Sequence, residues 1–302
     1  SIIGYCGTKR DLEIPASLNG KAVRKFLAMS IGMVPNEYSW QSHLRHNIET
    51  VVIQDGIEII GENAFASCIN LRSIEIPNSV KQIGKNAFSR CRSLESVVIP
   101  PQVTSISESL FYLCNSLSSV VLPENTEAID ENAFYGCKNL SAVTIPEHVA
   151  WIGKGAFSGC SNITSITLPK NTKIINGNTF YECSNLSSIE IPDSVIEIGD
   201  AAFSGCSSLA SIIIPENIKE LNSEVFSGCT NIATLRIPEG LKMIGYKAFA
   251  ACKRLTTIVI PDSVSTIYSR AFEECSNLSS IVIPESVIEI GEAAFRLCSS
   301  LT

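Results

Sequence analysis

The sequence predicts an α/β repeat fold: a solenoid in which short parallel strands and short helical or turn segments form a curved, right-handed stack. The first observation behind this prediction is a strict 23-residue period, in which a Phe-x-x-Cys pair occurs eleven times from Phe65 to Phe295. Periods of about 20 to 50 residues are typical of solenoids. The second is a proline that follows a short alternating apolar segment in ten of the eleven units. Each unit therefore forms one rung that buries its apolar face against its neighbours.

The repeat divides the chain into two parts. Residues 1–47 are predicted to form an irregular first rung and a cap, in which the segment EYSWQSHLRH is a short amphipathic helix over the open end of the stack. Residues 48–302 are predicted to form the array, with eleven complete 23-residue units. Leu301 begins a twelfth unit, so we expect the sequence to stop inside the array.

The irregular first rung is predicted from a partial match to the repeat. Leu12, Ile14 and Pro15 match the strand positions and the proline of later units, while Val23 and Phe26 match the next inward pair. A five-residue insertion separates the two matches. We therefore expect this stretch to form the first layer of the stack.

Each regular unit is predicted to contain a strand, a turn and a short helical piece. In residues 71–93, Ile74 and Ile76 alternate with polar residues, which is the pattern of a strand with one buried face. Proline has no N–H for a strand ladder, so Pro77 ends the strand. The position of Gly84 is Gly in six units and mostly Asn, Asp or Ser in the others, which predicts a positive φ or a helix cap. A turn and then a short helical piece are therefore expected before each cysteine.

These units resemble the leucine-rich repeats of the BspA type, whose pattern IPxSVxxIGxxAFxxCxxLxxI runs through residues 48–302. That family is found in surface proteins of gut and oral bacteria and of some parasitic protists. The resemblance implies a leucine-rich-repeat solenoid. It also implies an extracellular or cell-surface location and adhesion to a host or matrix protein.

The repeated cysteines leave several kinds of chemistry open. Stacked rungs place the Cα atoms of neighbouring cysteines within disulfide range. Side chains at one repeat position point in parallel, however, so we predict a column of reduced thiols that fill the interior as small apolar groups. Some bridging, and metal or redox chemistry, stay open as alternatives. His43 and His46 share a face of the expected cap helix, but without a third ligand we predict no metal site there.

Composition and motifs argue against several classes of function. The net charge of −7 gives no basic surplus for binding nucleic acid or anionic lipid. No apolar run approaches the roughly 20 residues of a membrane-spanning helix, so we expect no membrane insertion. The sequence shows no catalytic set of nucleophile, base and orienting group, and no phosphate-binding or dinucleotide motif. We therefore predict no catalytic residues, no cofactor and no enzymatic activity.

The residues that vary between units are the candidates for binding a partner, because a residue copied in every rung serves the stack. Solenoids commonly bind through the strand face on the inside of their curve. We therefore predict a protein-binding face along the varying outward positions of the first strands, although β-branched residues also favour strands without any binding role. These positions hold Glu75, Val98, Val121, Thr144, Thr167, Glu190, Ile213, Arg236, Val259 and Val282.

Trp151 is a further candidate contact. It stands at an outward position where other units carry mostly polar or small residues, and an exposed Trp is a typical interface anchor. Alternatively, its ring lies flat on Ile174 and shields it. A row of acidic residues after the prolines favours ordinary turn chemistry over calcium binding; it comprises Glu124, Glu147, Asp193, Glu216, Glu239, Asp262 and Glu285.

The function that these observations favour is a non-catalytic, monomeric protein that binds a host or extracellular-matrix protein. Residue 1 is Ser and no charged and then apolar leader follows it, which leaves open a cytosolic protein or a mature or trimmed form of an exported one. The expected extracellular location therefore comes from the family resemblance. The alternative is a structural scaffold or spacer that presents another domain beyond residue 302.

Overall fold

The computed structural model describes residues 10–18, 21–26 and 45–302. Within them, each 23-residue unit forms one rung with two short strand positions. Strands of most successive rungs pair in parallel, and in the regular units each paired residue lies opposite its equivalent 23 positions away, as Val98 does opposite Val121. The prediction of a solenoid of short parallel strands is confirmed.

The first strand of each rung presents its middle residue to the interior, because side chains alternate between the two faces of a strand. Two rung interfaces contain isolated parallel bridges in the same register, Ser119 with Ala142 and Ile213 with Arg236. The first strands are Asp11–Ile14, Thr50–Ile53, Ser73–Glu75, Ser96–Val98, Ser119–Val121, Ser165–Thr167, Ser188–Glu190, Thr257–Val259 and Ser280–Val282.

The second strand of each rung has two residues, of which the first faces outward. The second residue is buried in every strand from Lys25–Phe26 to Thr266–Ile267. The second strands are Lys25–Phe26, Ile59–Ile60, Gln82–Ile83, Ser105–Ile106, Ala128–Ile129, Trp151–Ile152, Ile174–Ile175, Glu197–Ile198, Glu220–Leu221, Met243–Ile244, Thr266–Ile267 and Glu289–Ile290.

The remainder of each regular rung is a run of turns, and the expectation of a short helical piece there is wrong. Two residues per rung have positive φ, as Asn63 (56°) and Ser67 (63°) do in the first unit. Such residues interrupt a right-handed helix. The N–H of Ala66 donates to Asn63 O within the rung (3.1 Å), whereas the N–H of Phe65 donates to Ala87 O of the next rung (2.8 Å). This alternation ties neighbouring rungs together, which a helix with internal hydrogen bonds does not do.

The position of Gly84 has a different role from the predicted one. Gly84 does not have a positive φ. A Cβ on Gly84 would lie 2.6 Å from the backbone nitrogen of Glu62 in the preceding rung, so close approach explains the glycine. Where this position holds Asn176, its Nδ2 donates to the carbonyl of Ile152 in the preceding rung at 2.7 Å. Both solutions bring two rungs into contact.

The first layer of the stack follows the register expected from the sequence match. Leu12 pairs with Val51 and Phe26 pairs with Ile60, both in parallel. The insertion between them forms an antiparallel pair of two-residue strands, Ser17–Leu18 and Lys21–Ala22. Residues 45–47 are helical, and the rest of the expected cap helix lies outside the described residues.

The interior is filled by columns of identical side chains. The phenylalanine rings of successive units stack with centroids 5.3 to 5.9 Å apart, within the usual range for aromatic pairs. Those from Phe65 to Phe272 are fully buried. Phe26 extends this column into the first layer, with its ring centroid 5.2 Å from that of Phe65.

Candidate functional site

The candidate site is a line of outward side chains on the first strands, which we call the outer column. Its ten predicted members are all exposed. Strand pairing or an isolated bridge places four pairs of them side by side: Val98 with Val121, Thr167 with Glu190, Ile213 with Arg236, and Val259 with Val282. An eleventh exposed member, Val52, was not predicted; it pairs with Glu75. Its position 23 residues before Glu75 is the signal that identifies it. The outer column is Val52, Glu75, Val98, Val121, Thr144, Thr167, Glu190, Ile213, Arg236, Val259 and Val282.

Two stretches of the outer column are apolar and strongly exposed. Val98 and Val121 are neighbours with 64% and 58% of their surface exposed. Farther along the stack, Val259 and Val282 are neighbours that are 75% and 73% exposed, and Ile213 is 82% exposed. Aliphatic side chains in this position gain nothing from burial in the isolated chain, so their contribution to packing does not explain them.

Charged residues interrupt the aliphatic residues of the outer column. Arg236 lies between Ile213 and Val259 in the column, and its guanidinium contacts the Glu216 carboxylate at 2.9 Å. Both side chains are mostly exposed, so this pair contributes little to stability. The charge therefore changes the exposed surface of the column and has little effect on how well the rungs stack.

Trp151 does not join the outer column. It lies on a second strand, where it pairs with Ala128, and it remains 45% exposed. A shallow cleft is lined by Trp151 and Ile174, together with Val149 and Thr172. Trp151 is therefore a separate, half-exposed apolar group beside Ile174.

The cysteines have a structural role that the sequence analysis identified only in part. All eleven from Cys68 to Cys298 are free and buried. The thiol of Cys91 donates to the carbonyl of Phe65 in the preceding rung at 3.1 Å, and each later cysteine does the same one rung on. Cysteine thus combines a small apolar side chain with a weak donor for an interior carbonyl.

Burial also makes the thiols from Cys68 to Cys252 unreactive, because it raises the pKa of each. It raises the pKa of Cys68, Cys183 and Cys252 to about 12. The thiolate is the form that attacks electrophiles and binds metals, and at neutral pH these residues remain thiols. The column therefore acts as interior packing.

Possible metal ligands are dispersed in the described part of the chain. Across residues 10–18, 21–26 and 45–302, no group of three His, Cys, Asp or Glu side chains is placed to hold a metal ion. His43 lies outside these residues. In the acidic row, the Glu147 carboxylate accepts the N–H of Lys170 at 3.2 Å, and that of Glu216 accepts the N–H of Glu239 at the same distance. These carboxylates link successive turns.

The described residues also contain no helix that is both long enough and apolar enough to cross a bilayer.

Comparison with solved structures finds similar proteins in bacteria. A leucine-rich cell-surface protein from Faecalibacterium prausnitzii A2-165 shares 28% identity, with 96% of this chain and 89% of that chain covered and a TM-score of 0.55. A leucine-rich repeat protein from Bacteroides ovatus shares 29% identity over 84% of this chain and 85% of that chain, with a TM-score of 0.50. The pneumococcal vaccine antigen PcpA is similar in fold, at 18% identity over 97% and 76% of the two chains and a TM-score of 0.64.

Comparison of the sequence with family models also identifies leucine-rich repeats in this chain. No curated protein matches the chain. The model of the BspA type leucine-rich repeat region matches residues 37–164, 127–255 and 223–302, which together span most of the sequence. The chain therefore belongs to the BspA-type leucine-rich repeat family.

Proposed function

We propose that this chain is a non-enzymatic protein of the cell surface or extracellular space that binds a host or extracellular-matrix protein through its outer column. The observation that carries the proposal is two exposed aliphatic stretches, one at Val98 and Val121 and one in which Arg236 separates Ile213 from the neighbours Val259 and Val282. Contiguous exposed apolar surface on a folded protein is typical of a protein interaction site. The description of the F. prausnitzii relative as a cell-surface protein supports the location.

The spacing of the two stretches favours a macromolecular partner. Four rungs separate Val121 from Ile213, which is about 19 Å at a strand spacing of about 4.8 Å. A small ligand does not span that distance, whereas a protein surface does. The negative net charge disfavours nucleic acid as the partner. We take residues 1–47 as the irregular first rung and the cap, and residues 48–302 as the binding array. We take the protein as a monomer whose outer column lies on the concave face of the solenoid.

The decisive experiment places charges on the outer column. We expect the double variant V98D/V121D to lose at least tenfold in binding to a coat of solubilised extracellular matrix and to intact epithelial cells. A carboxylate in each of two desolvated contacts opposes binding without entering the interior. The matched control is I196D/I288D, which puts the same two charges on exposed aliphatic residues away from the outer column.

The result also separates the proposal from its alternative. Binding that is retained by I196D/I288D and lost by V98D/V121D supports recognition through the outer column. Equal binding by all three proteins, or no binding by the unchanged protein, contradicts it and leaves the role of a scaffold that presents another domain.

A further inference from the structure

At two interfaces between regular rungs, neither the strands nor the residues that adjoin them are joined by backbone hydrogen bonds within the described chain. We call these the open interfaces. The first lies between residues 140–162 and 163–185, and the second between residues 186–208 and 209–231. The two rungs between them, residues 163–208, pair with each other through both of their strands. The loss of pairing is therefore confined to particular interfaces.

Both open interfaces have asparagine in place of glycine at one repeat position. In a paired rung, the backbone N–H of Gly153 at this position donates to Ile129 O in the preceding rung at 2.8 Å. At the first open interface, the side-chain Nδ2 of Asn176 donates to Ile152 O at 2.7 Å instead. Asn222 makes the equivalent side-chain bond at the second open interface, also at 2.7 Å. The side chain thus takes the carbonyl that the backbone N–H uses in a paired rung, and the strand ladder is interrupted.

Two other rungs support this explanation from donor chemistry. Ser107 stands at the same position, and its hydroxyl donates to Ile83 O in the preceding rung at 2.5 Å. The strands at that interface are also unpaired in the described chain, although the N–H of Glu95 beside them donates to Arg72 O at 3.1 Å. Asp130 also stands at this position, but a carboxylate has no hydrogen to donate. There the backbone N–H donates to the preceding rung at 2.8 Å, and the second strands are paired.

The turn segments remain bonded across both open interfaces. The N–H of Phe157 donates to Thr179 O across the first, and the N–H of Phe203 donates to Val225 O across the second, both at 3.0 Å. Each open interface is thus hydrogen bonded through the backbone along its turn side and not along its strand side. An interface of this kind opens by rotation about the bonded side, which is the geometry of a hinge.

The strand side of the first open interface is spread. A cleft of about 70 Å³ lies between Trp151 and Ile174, which belong to the two unpaired second strands. In the interior, the ring centroids of Phe157 and Phe180 are 5.9 Å apart across this interface. Those of Phe134 and Phe157 are 5.3 Å apart across the paired interface before it. The opening therefore extends from the surface to the phenylalanine column.

We propose that the two open interfaces are hinges, at which the solenoid bends between three blocks formed by residues 48–162, 163–208 and 209–302. Bending at these places breaks no strand hydrogen bond, so it is easier there than at a paired interface. The two aliphatic stretches of the outer column lie in the first and the third block. Bending therefore changes the distance between them and lets both contact partner surfaces of different shape. This consequence rests on the proposed function, whereas the hinges are a property of the chain alone.

The experiment restores the strand ladder at both hinges. N176G/N222G removes the two side-chain donors and introduces the glycine that paired rungs such as that of Gly153 carry at this position. The matched control N63G/N132G makes the same two changes where φ is 56° and 54°, which glycine adopts without strain. Both control positions lie at paired interfaces. The full chain is measured without any partner.

Hydrogen exchange reports on the strand ladder. The N–H of Ala150 donates to Glu127 O at 2.9 Å, whereas the equivalent N–H groups of Lys173 and Lys219 have no acceptor within the described chain. We expect the amides of Lys173 and Lys219 to exchange at least tenfold faster than that of Ala150 in the unchanged protein and in N63G/N132G. In N176G/N222G we expect both amides to exchange at least tenfold more slowly than in the unchanged protein.

Pulsed electron paramagnetic resonance reports on the bending itself. Spin labels attached to p-acetylphenylalanine at the exposed positions 127 and 288 leave the cysteines unaltered and span both hinges. These positions are seven rungs apart, or about 34 Å at a strand spacing of about 4.8 Å. We expect the distribution of label distances to be narrower by at least about a quarter in N176G/N222G than in the unchanged protein and in N63G/N132G.

The single variant N176G closes one hinge and is expected to change both measurements in the same direction, which keeps the test valid if N176G/N222G does not fold. Equal widths of the distance distribution in all variants would overturn the proposal, as would slow exchange of Lys173 and Lys219 in the unchanged protein. Neither measurement involves a partner, so their results are independent of the matrix-binding experiment on V98D/V121D.

Discussion

Phe157 and Thr144 belong to the same rung but to columns that follow opposite rules. The column of Phe157 contains phenylalanine in all eleven units, whereas that of Thr144 contains Val, Glu, Thr, Ile and Arg. Phe157 stacks on Phe134 at 5.3 Å and on Phe180 at 5.9 Å, so any change there affects two neighbouring rungs. Thr144 is exposed and its side chain can change without disturbing the interior. Stacking therefore requires the same side chain at each interior position, whereas the residues at exposed positions can differ from rung to rung.

The largest expected effect on the stability of the interior comes from raising the pH, because this ionises the buried cysteine thiols. In the unfolded chain, thiols ionise near pH 8.5, whereas burial keeps those such as Cys68 and Cys183 protonated up to a pKa of about 12. Their contribution to stability is complete below about pH 8.5 and is lost as the pH rises towards 12. We expect the free energy of unfolding to fall by up to about 1.4 kcal/mol per pH unit for each buried thiol, measured by urea unfolding between about pH 8 and pH 10.

A single substitution measures how much one thiol contributes to that change of stability with pH. C160A removes one titrating thiol, so its stability is expected to fall less steeply with pH by up to about 1.4 kcal/mol per pH unit. A slope equal to that of the unchanged protein would mean that Cys160 is not protected from ionisation in the folded state.

Removing one ring from the phenylalanine column is expected to have the next largest effect. F157A leaves a cavity between Phe134 and Phe180 and is expected to lower the free energy of unfolding by about 3–5 kcal/mol in chemical denaturation. Because rungs depend on their neighbours, hydrogen exchange is also expected to accelerate in the rungs on either side. A loss below about 1 kcal/mol would show that the column contributes little to the stack.

A substitution in the outer column is expected to have the smallest effect on the free energy of unfolding. V121T replaces an exposed side chain by one of similar shape that already occurs in this column, at Thr144 and Thr167. We expect the free energy of unfolding to change by less than about 0.5 kcal/mol in the same denaturation experiment. A loss comparable to that of F157A would mean that Val121 supports the fold, which would remove the reason to assign it to a partner.

Much of the fold could be predicted because the period fixes which residues share a column. Alternation of Ile74 and Ile76 around an outward residue predicted the strands, and the match of Leu12 and Phe26 to the repeat predicted the register of the first layer. The helical piece was wrong because its positive-φ positions are not marked by glycine alone. They include Arg90 and Leu113, residues that give no sequence signal for this conformation.

Most of the candidate site could also be predicted because the period fixes which residues share a column. Outward positions of a strand follow directly from its alternation, so the exposure of residues such as Val98 was expected. Val52 was missed because its unit lacks the proline that follows the strand in the later units, although it stands 23 residues before Glu75.

The alternating hydrogen bonds of the turn segments bear on how the molecule responds to tension. Since Phe65 and its equivalents bond to the following rung, turn bonds cross the interfaces between rungs, and most of these interfaces also carry paired strands. A pull applied to one end loads the last interface first, because the end rung has a single neighbour. Each rung that detaches frees 23 residues, or about 80 Å of extended chain. If such a protein is held between two attachment points, it lengthens in steps of one rung. Each step dissipates mechanical work before the next interface between rungs breaks.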